Sequence, residues 1–422
     1  MNMGKKELVE ILQRLNIYTK CSILAAGGAV RDSILGTAVK DVDLVFRGPE
    51  EELKKFLREL QTDYKKIDPA SSLPIYSFSF DETRMEITLP RKEKKLVSEG
   101  NSHKNFEFVF DHTIPLVEDA KRRDFTVNAL YMNRKGKILD PLGGLKDLSN
   151  MELVQGSDAF IEDPLRVLRA LRFAAKGFKI SDKLKNLILQ NKELLENEIN
   201  KLPVERLTSE FMKSLDSKNF AQFFVNFIDL NLNIDLFTFI YEMNTIPAGP
   251  EKYHGKNTVL QHSIETAEKV CQPDRLYAFF HDFGKIFTPK DILPHHYNHE
   301  VVGEEKVKEL LQKMKLPAKA IERTSFITRQ HMAFGRFAEL KNSTKLKILE
   351  KAVKLDCVRE LISVVSADHG RMTREAVEEI YRIVDIIQTP ASKIIPLERL
   401  QRMEKNKIKE IIFQKKLELI NK

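Results

Sequence analysis

With 422 residues, 42% of them hydrophobic, the chain is too long for one small domain and apolar enough to fill two to four compact units. Its 69 Lys and Arg against 61 Asp and Glu leave a net charge of +8, which favours polyanionic partners such as nucleic acid. The three cysteines, Cys21, Cys271 and Cys357, lie far apart with no Cys-x-x-Cys, which argues against a disulfide framework and a cysteine-built zinc site.

The first fifteen residues read as an amphipathic helix with Lys, Glu and Arg interspersed, and no later apolar run approaches the ~20 residues of a membrane span. The expectation is a soluble, cytoplasmic protein with no membrane partner. In residues 24–46 an apolar run stops at Gly27-Gly28, a helical segment with Arg31 and Asp32 follows, and a second apolar run carries Asp41 and Asp43. Residues two apart on a strand share a face. Two neighbouring carboxylates stay ionised only with a cation between them, and Mg²⁺ is the hard, oxygen-seeking choice. The glycine pair lets backbone N–H groups approach a phosphate. Singly, such a D-x-D is a solvated strand end and Gly-Gly a turn; in this order they describe a nucleotidyl-transfer site.

Residues 50–60 form a helix with Leu53, Phe56, Leu57 and Leu60 on one face. Segments 75–80 and 84–89 flank Asp81-Glu82 as a hairpin, whose Glu86 is either a solvent-facing strand residue or a third active-site carboxylate. Residues 91–107 are polar and without periodicity, a surface loop. KRRDFTVNAL, residues 121–130, reads as a basic helix capped by Asp124, and residues 140–148 as a turn-rich connector. In residues 162–178 Asp163-Pro164 opens a helix with the apolar stripe Leu165, Leu168, Leu171 and Ala175. A Phe-rich helical stretch, 216–243, leads to His262, to His281-Asp282 at the end of an apolar helix, and to Asp368, with His295, His296, His299 and His331 between. Imidazole and carboxylate are ligands for Mn, Fe, Ni, Zn or Mg; scattered histidines are otherwise core or surface residues. The tail, 371–422, holds amphipathic helices with a Lys-rich solvated face.

GGAVRD followed by DVD, then KRRDFTVNAL, DPLGGLKDL, EDPLR and ERLTSEF run in one order from Gly27 to about Phe211. This series resembles the class II nucleotidyltransferases, the family of tRNA nucleotidyltransferases (CCA-adding enzymes) and bacterial poly(A) polymerases. The resemblance implies an α+β head with a small mixed sheet, followed by a helical neck. It implies catalytic, Mg²⁺-holding roles for Asp41 and Asp43 and nucleotide contacts for Gly28 and Arg31. Arg123 would fork onto phosphate and Asp124 would accept from a ribose 2′-OH. The loop at 91–107 would help switch from CTP to ATP. Glu162, Asp163 and Arg166 match the family's protein template, with Arg169 a further nucleotide contact. Cytosine and adenine both offer an amino donor beside a ring-nitrogen acceptor, to which Asp and Arg are complementary. Uracil and guanine present the reverse and would leave buried groups unpaired.

The order His…His-Asp…Asp, with the HD-x-G-K turn at 281–285, resembles the HD phosphohydrolase superfamily. It implies His262, His281, Asp282 and Asp368 as ligands of a divalent transition metal or Mg²⁺, with His299 and His331 as weaker additions, and hydrolysis of phosphoesters such as 2′,3′-cyclic phosphates. A nucleotidyltransferase head before an HD domain is the arrangement of one bacterial branch of CCA-adding enzymes. The expected organisation is a head at 1–145, a nucleotide- and RNA-binding neck at 146–245, an HD body at 246–375 and a helical tail at 376–422. The expected reaction is template-independent addition of CCA to tRNA from CTP and ATP, with no protein partner evident. The alternatives are an A-adding or poly(A)-type enzyme of the same family, or an HD metal phosphohydrolase with an RNA-binding head.

Overall fold

The computed structural model describes residues 3–39, 41–67, 73–95, 106–370, 372–394 and 405–422. The chain forms two compact units, Met1–Leu202 with Lys218–Ile234, and Pro203–Ser217 with Asp235–Lys422. The stretch 146–245 is thus divided, residues 203–217 and 235–245 belonging to the second unit.

The first unit opens with α1 (Lys5–Leu15), which buries Leu8, Ile11, Leu12 and Leu15. Next come β1 (Ser22–Ala26), α2 (Gly28–Leu35), β2 (Asp41–Arg47), α3 (Glu50–Glu59), β3 (Tyr64–Lys66), β4 (Ile75–Phe80) and β5 (Thr83–Thr88). Asp81 and Glu82 have φ of 49° and 61°, so the β4–β5 hairpin closes on two left-handed residues, the turn whose twist suits paired strands. After β6 (Arg91–Lys95) and β7 (Phe106–Phe110) come α4 (Leu116–Lys121), β8 (Tyr131–Met132), β9 (Ile138–Leu139) and α5 (Gly144–Ser149). Among the described residues one sheet runs β3-β4-β5-β2-β1-β8-β9. Its single parallel pair, β2 with β5, makes it the expected mixed sheet.

Two expectations change here. The arms of the polar segment at 91–107 are strands, because β6 pairs antiparallel with β7; its centre lies outside the described residues. Residues 144–149, expected as connector, are helical, since the Asp140 carboxylate accepts the Gly144 and Leu145 N–H groups at 2.8 and 3.0 Å and so caps α5.

The rest of the unit is β10 (Glu152–Leu153), α6 (Leu165–Ala175), β11 (Lys179–Ile180), α7 (Asp182–Gln190), α8 (Lys192–Asn200) and, after residues 203–217, α10 (Ala221–Asp229). Phe125, Phe160, Phe173, Phe223, Phe224 and Phe227 fill its core. Each fully buried ring contributes about 2–3 kcal/mol.

The second unit is helical in its described residues: α9 (Val204–Leu215), α11 (Phe239–Thr245), α12 (Glu251–His254), α13 (Val259–Glu268), α14 (Arg275–Phe280), α15 (His299–Lys313), α16 (Ala318–Gly335), α17 (Asn342–Leu355), α18 (Val358–Asp368), α19 (Arg374–Gln388), α20 (Ala391–Ile394) and α21 (Lys405–Ile420). Phe211 of α9 meets Phe237, Phe239, Phe279 and Phe280 at ring separations of 5.5–6.5 Å. Thr258 and Gln261 close a capping box at the start of α13. The turn after α14 lies so close to α15 that a Cβ on Gly284 would stand 1.9 Å from the His299 carbonyl oxygen. The tail folds back onto the unit, with Lys416 Nζ 3.4 Å from Glu350. Among the described residues no helix is long and apolar enough to cross a membrane.

Candidate functional site

Asp41 and Asp43 occupy the exposed side of β2, alternating with buried Val42 and Leu44, as the period of two requires. Register places Asp43 opposite Ala26 at the end of β1 and opposite Glu86 on β5. Gly27 follows Ala26 with φ 67° and ψ −130°, and its N–H donates to the Leu130 carbonyl at 2.9 Å. A Cβ at Gly27 would lie 2.8 Å from Arg123 Nη1 and 3.7 Å from Asp43 Oδ2. Glycine there leaves room for the Arg123 guanidinium, and Arg123 lines one small cleft of about 190 Å³ together with Asp43, Glu86, Thr88, Arg91 and Arg122.

Partial desolvation in this cleft pushes the Asp43 carboxyl up, Asp41 adds to the rise and Arg123 opposes it. Glu86 is pushed up likewise, by desolvation and by Asp43. Paired carboxylate oxygens whose charge burial disfavours fit a hard divalent cation such as Mg²⁺.

The arginines are held from behind. Buried Asp119 accepts from Arg122 Nη2 at 2.9 Å, Arg123 Nη2 at 3.4 Å, the Tyr131 hydroxyl at 2.6 Å and the Arg91 N–H at 3.1 Å. Burial alone would raise its carboxyl, yet Arg122 and Arg123 hold it at about 2. Asp119 was not singled out in the sequence, although its spacing of three and four from the two arginines is a helical-face signal.

Asp124 caps no helix. Its Oδ2 accepts Arg169 Nε and Nη2 at 2.8 and 2.6 Å, while Oδ1 accepts the Asn128 side chain and the Phe125 N–H, both at 2.8 Å. Burial opposes ionisation but Arg169 and Asn128 outweigh it, leaving the carboxyl at about 2. Asn128 also accepts from Arg31 Nη1. The guanidinium of Arg31 is buried, bonded to Asp32 and 4.9 Å from the Phe173 ring centroid. Arg31, Asn128, Asp124 and Arg169 thus form one continuous chain, and Asn128 is the link that sequence spacing missed. Gly28, the first residue of α2, would place a Cβ 3.7 Å from Arg31 Nη2.

Asp163 receives the Leu165 N–H on Oδ1 at 3.2 Å, the expected cap of α6. Arg166 is buried, with Nη1 donating to the Ala159 carbonyl at 2.8 Å and Nη2 to that of Arg122 at 2.6 Å. Each terminal nitrogen keeps a second hydrogen. Glu162 ends the short turn of 3₁₀ helix that leads into this cap.

The second unit holds a separate cluster. Ligand-type atoms of His262, His281, Asp282 and Asp368 all lie within 4.8 Å of one another, and those of Asp282, His299 and His331 do the same. Both groups share Asp282. His262 Nε2 is 3.0 Å from Asp368 Oδ1 and 3.3 Å from Asp282 Oδ2. His299 and His331 approach Asp282 Oδ1 at 3.1 and 3.3 Å.

His281, His299 and His331 each donate Nδ1–H to the carbonyl three residues back, at 2.7, 2.8 and 2.7 Å. In a neutral ring this leaves an Nε2 lone pair aimed at the carboxylates. Two such lone pairs, of His299 and His331, face each other at 3.3 Å. Buried His281 Nε2 lies 3.3 Å from Asp282 Oδ2 and 3.4 Å from Asp368 Oδ1 with a well-aligned hydrogen bond to neither. Burial pushes His281 toward the neutral form, yet Asp282 and Asp368 pull it up to about 10. A divalent cation would replace that proton, so the donor set fits a metal. Lys285 Nζ lies 2.6 Å from Asp282 Oδ2 and donates to the Ala248 carbonyl at 2.8 Å.

Residues 23–154 match the family described as "Poly A polymerase head domain", and residues 177–240 match "Probable RNA and SrmB- binding site of polymerase A". The multifunctional CCA protein of Neisseria meningitidis is 33% identical over 362 residues, covering 83% of this chain and 82% of the relative. That of Mannheimia succiniciproducens is 34% identical over 341 residues, covering 77% of each. The fold is similar to the crystal structure of the Bacillus stearothermophilus CCA-adding enzyme in complex with CTP, with a TM-score of 0.68 at 21% identity over 100% of this chain and 94% of that one. A complex of a CCA-adding enzyme with ATP superimposes with a TM-score of 0.60 at 19% identity over 98% and 91%. With more than three quarters of its length aligned at about one residue in three, the chain belongs to the family of CCA-adding enzymes and poly(A) polymerases.

Proposed function

We propose that the chain adds C, C and A to the 3′ end of tRNA from CTP and ATP without a nucleic-acid template. The observation that carries this is the meeting of Asp43, Glu86 and Arg123 at one cleft, with Gly27 packed against Arg123 and Asp41 two residues before Asp43 on β2. Bound Mg²⁺ would lower the barrier by neutralising charge on the phosphates and favouring ionisation of the attacking hydroxyl. Asp41 and Asp43 would hold that cation. The tRNA 3′-OH attacks the α-phosphorus, the bond to the β-phosphate oxygen breaks, and pyrophosphate leaves with its electrons. Gly28 lets phosphate approach the start of α2, while Arg123 and Arg31 balance its charge. Asp124 positions Arg169 against the incoming nucleotide, and its ribose contact is made from that held carboxylate. Asp163 accepts from the exocyclic amine of C or A, and Arg166 donates its spare hydrogens to the ring nitrogen.

A second activity is favoured by the convergence of His262, His281, Asp282 and Asp368 with His299 and His331. It is hydrolysis of phosphate esters such as 2′,3′-cyclic phosphates, in which water adds to phosphorus and one P–O bond opens. These side chains would hold a divalent cation, which would polarise the phosphate and activate water, and Lys285 lies beside the Asp282 carboxylate. Two variants test both readings. Asp43→Asn should abolish nucleotide addition and spare hydrolysis, and His281→Ala should do the reverse. Addition unaffected by Asp43→Asn, or hydrolysis unaffected by His281→Ala, would overturn the corresponding assignment.

A further inference from the structure

The cavity in front of the histidine–aspartate cluster extends beyond what a phosphate group needs. It measures about 440 Å³, and besides Asp282, Lys285, His299 and Asp368 its lining includes Tyr253, His295 and Tyr297. Tyr253 and Tyr297 are 73% and 72% exposed. One exposed ring is ordinary; two bordering the same cavity place apolar faces at its rim. Tyr297 is not loose in solvent, because the His295 ring lies against it at 5.9 Å with an interplanar angle of 12°. Tyr253 carries Lys252 Nζ at 5.4 Å from its ring centroid, which adds positive charge at the same rim. A flat, backed ring beside a group of cationic and metal-ligating side chains matches the two halves of a nucleotide.

We propose that Tyr253 and Tyr297, the latter backed by His295, form a base-stacking subsite that selects phosphate esters of nucleosides, free or at an RNA 3′ end, over esters that lack a base. The proposal rests on the phosphohydrolase reading of the neighbouring cluster. Every base has a π face, so the subsite discriminates little among A, C, G and U.

The test uses the full-length metal-loaded protein with Tyr253→Ala, Tyr297→Ala and the double substitution, all at exposed positions, with melting temperature as the control for folding. Hydrolysis is followed for 2′,3′-cyclic AMP, for a short RNA ending in a 2′,3′-cyclic phosphate, and for glycerol 1,2-cyclic phosphate, which has the reacting ring and no base. The double variant should raise KM for the nucleoside ester by about 5- to 100-fold with kcat held within about twofold, and leave glycerol cyclic phosphate unchanged. A loss on the mononucleotide alone assigns the subsite to free nucleotides; a loss on the RNA, with or without one on the mononucleotide, assigns it to the RNA terminus. Equal losses on all three esters, or none on either nucleoside substrate, overturn it. A second readout is the fluorescence of ethenoadenosine 3′-phosphate, quenched on binding to the wild type and not by the double variant. If the wild type hydrolyses none of the esters, the phosphohydrolase reading fails. Lost quenching in the double variant would still support the subsite, and unchanged quenching would overturn it.

Discussion

Gly27 combines a φ of 67° with a ψ of −130°, a region closed to residues with a Cβ. Gly27→Ala therefore has to move both the backbone and Arg123, and nucleotide addition should fall at least about a hundredfold, checked by the rate of CMP incorporation with hydrolysis as the internal control. Asp119 and Asp124 carry a pH signature. Both carboxyls are held at about 2, below their ordinary 3.8, by arginines that outweigh burial. A depressed carboxylate contributes stability above its unfolded pKa and loses it as pH falls, here between about 4 and 2, worth about 2 kcal/mol per group. Denaturant midpoints of the head should drop across that window. Asp119→Asn should flatten the drop and destabilise the protein at neutral pH by about 3 kcal/mol, since it strands two partly buried arginines. The carboxylates at Asp41 and Asp43 were legible because a spacing of two on a strand fixes their common side. Nothing local could show that Asp124 is engaged by Arg169, 45 positions away, or that Arg166 spends two hydrogens on the Ala159 and Arg122 carbonyls.

At the level of elements, the alternation of apolar residues gave helix and strand wherever one side faces a core. The β4–β5 hairpin and the start of α6 fall where their turn and cap residues put them. The ribbon of β6 and β7 did not, because RKEKK has no apolar alternation and owes its strand form to pairing with Phe106–Phe110. The HD-x-G turn shows why an element can matter more than its residues. Gly284 lies against the backbone of α15, where an added Cβ would meet the His299 carbonyl at 1.9 Å and the Gly303 nitrogen at 2.7 Å. Gly284→Ala must displace α15 and with it His299. The expected cost is about 1–3 kcal/mol of stability with loss of phosphoester hydrolysis, while tRNA extension persists; thermal melting and the two assays check this.

For the whole molecule, the two centres belong to different units of the chain, and each is built from its own side chains. His299 and His331 were the weaker additions to the metal ligands that the HD resemblance implied, yet their ring nitrogens lie 3.3 Å apart and both approach Asp282. Chelation by EDTA should halt both activities, and the cation that restores each need not be the same, since one donor set is all oxygen and the other rich in imidazole. The central claim is tested most directly by extending a tRNA transcript that lacks its 3′ end, with Mg²⁺ and CTP, ATP, UTP or GTP singly and in pairs. The account predicts two additions from CTP, one further addition when ATP follows, and refusal of UTP and GTP. Incorporation of UTP or GTP at comparable rates, or extension by ATP alone with CTP ignored, would contradict it.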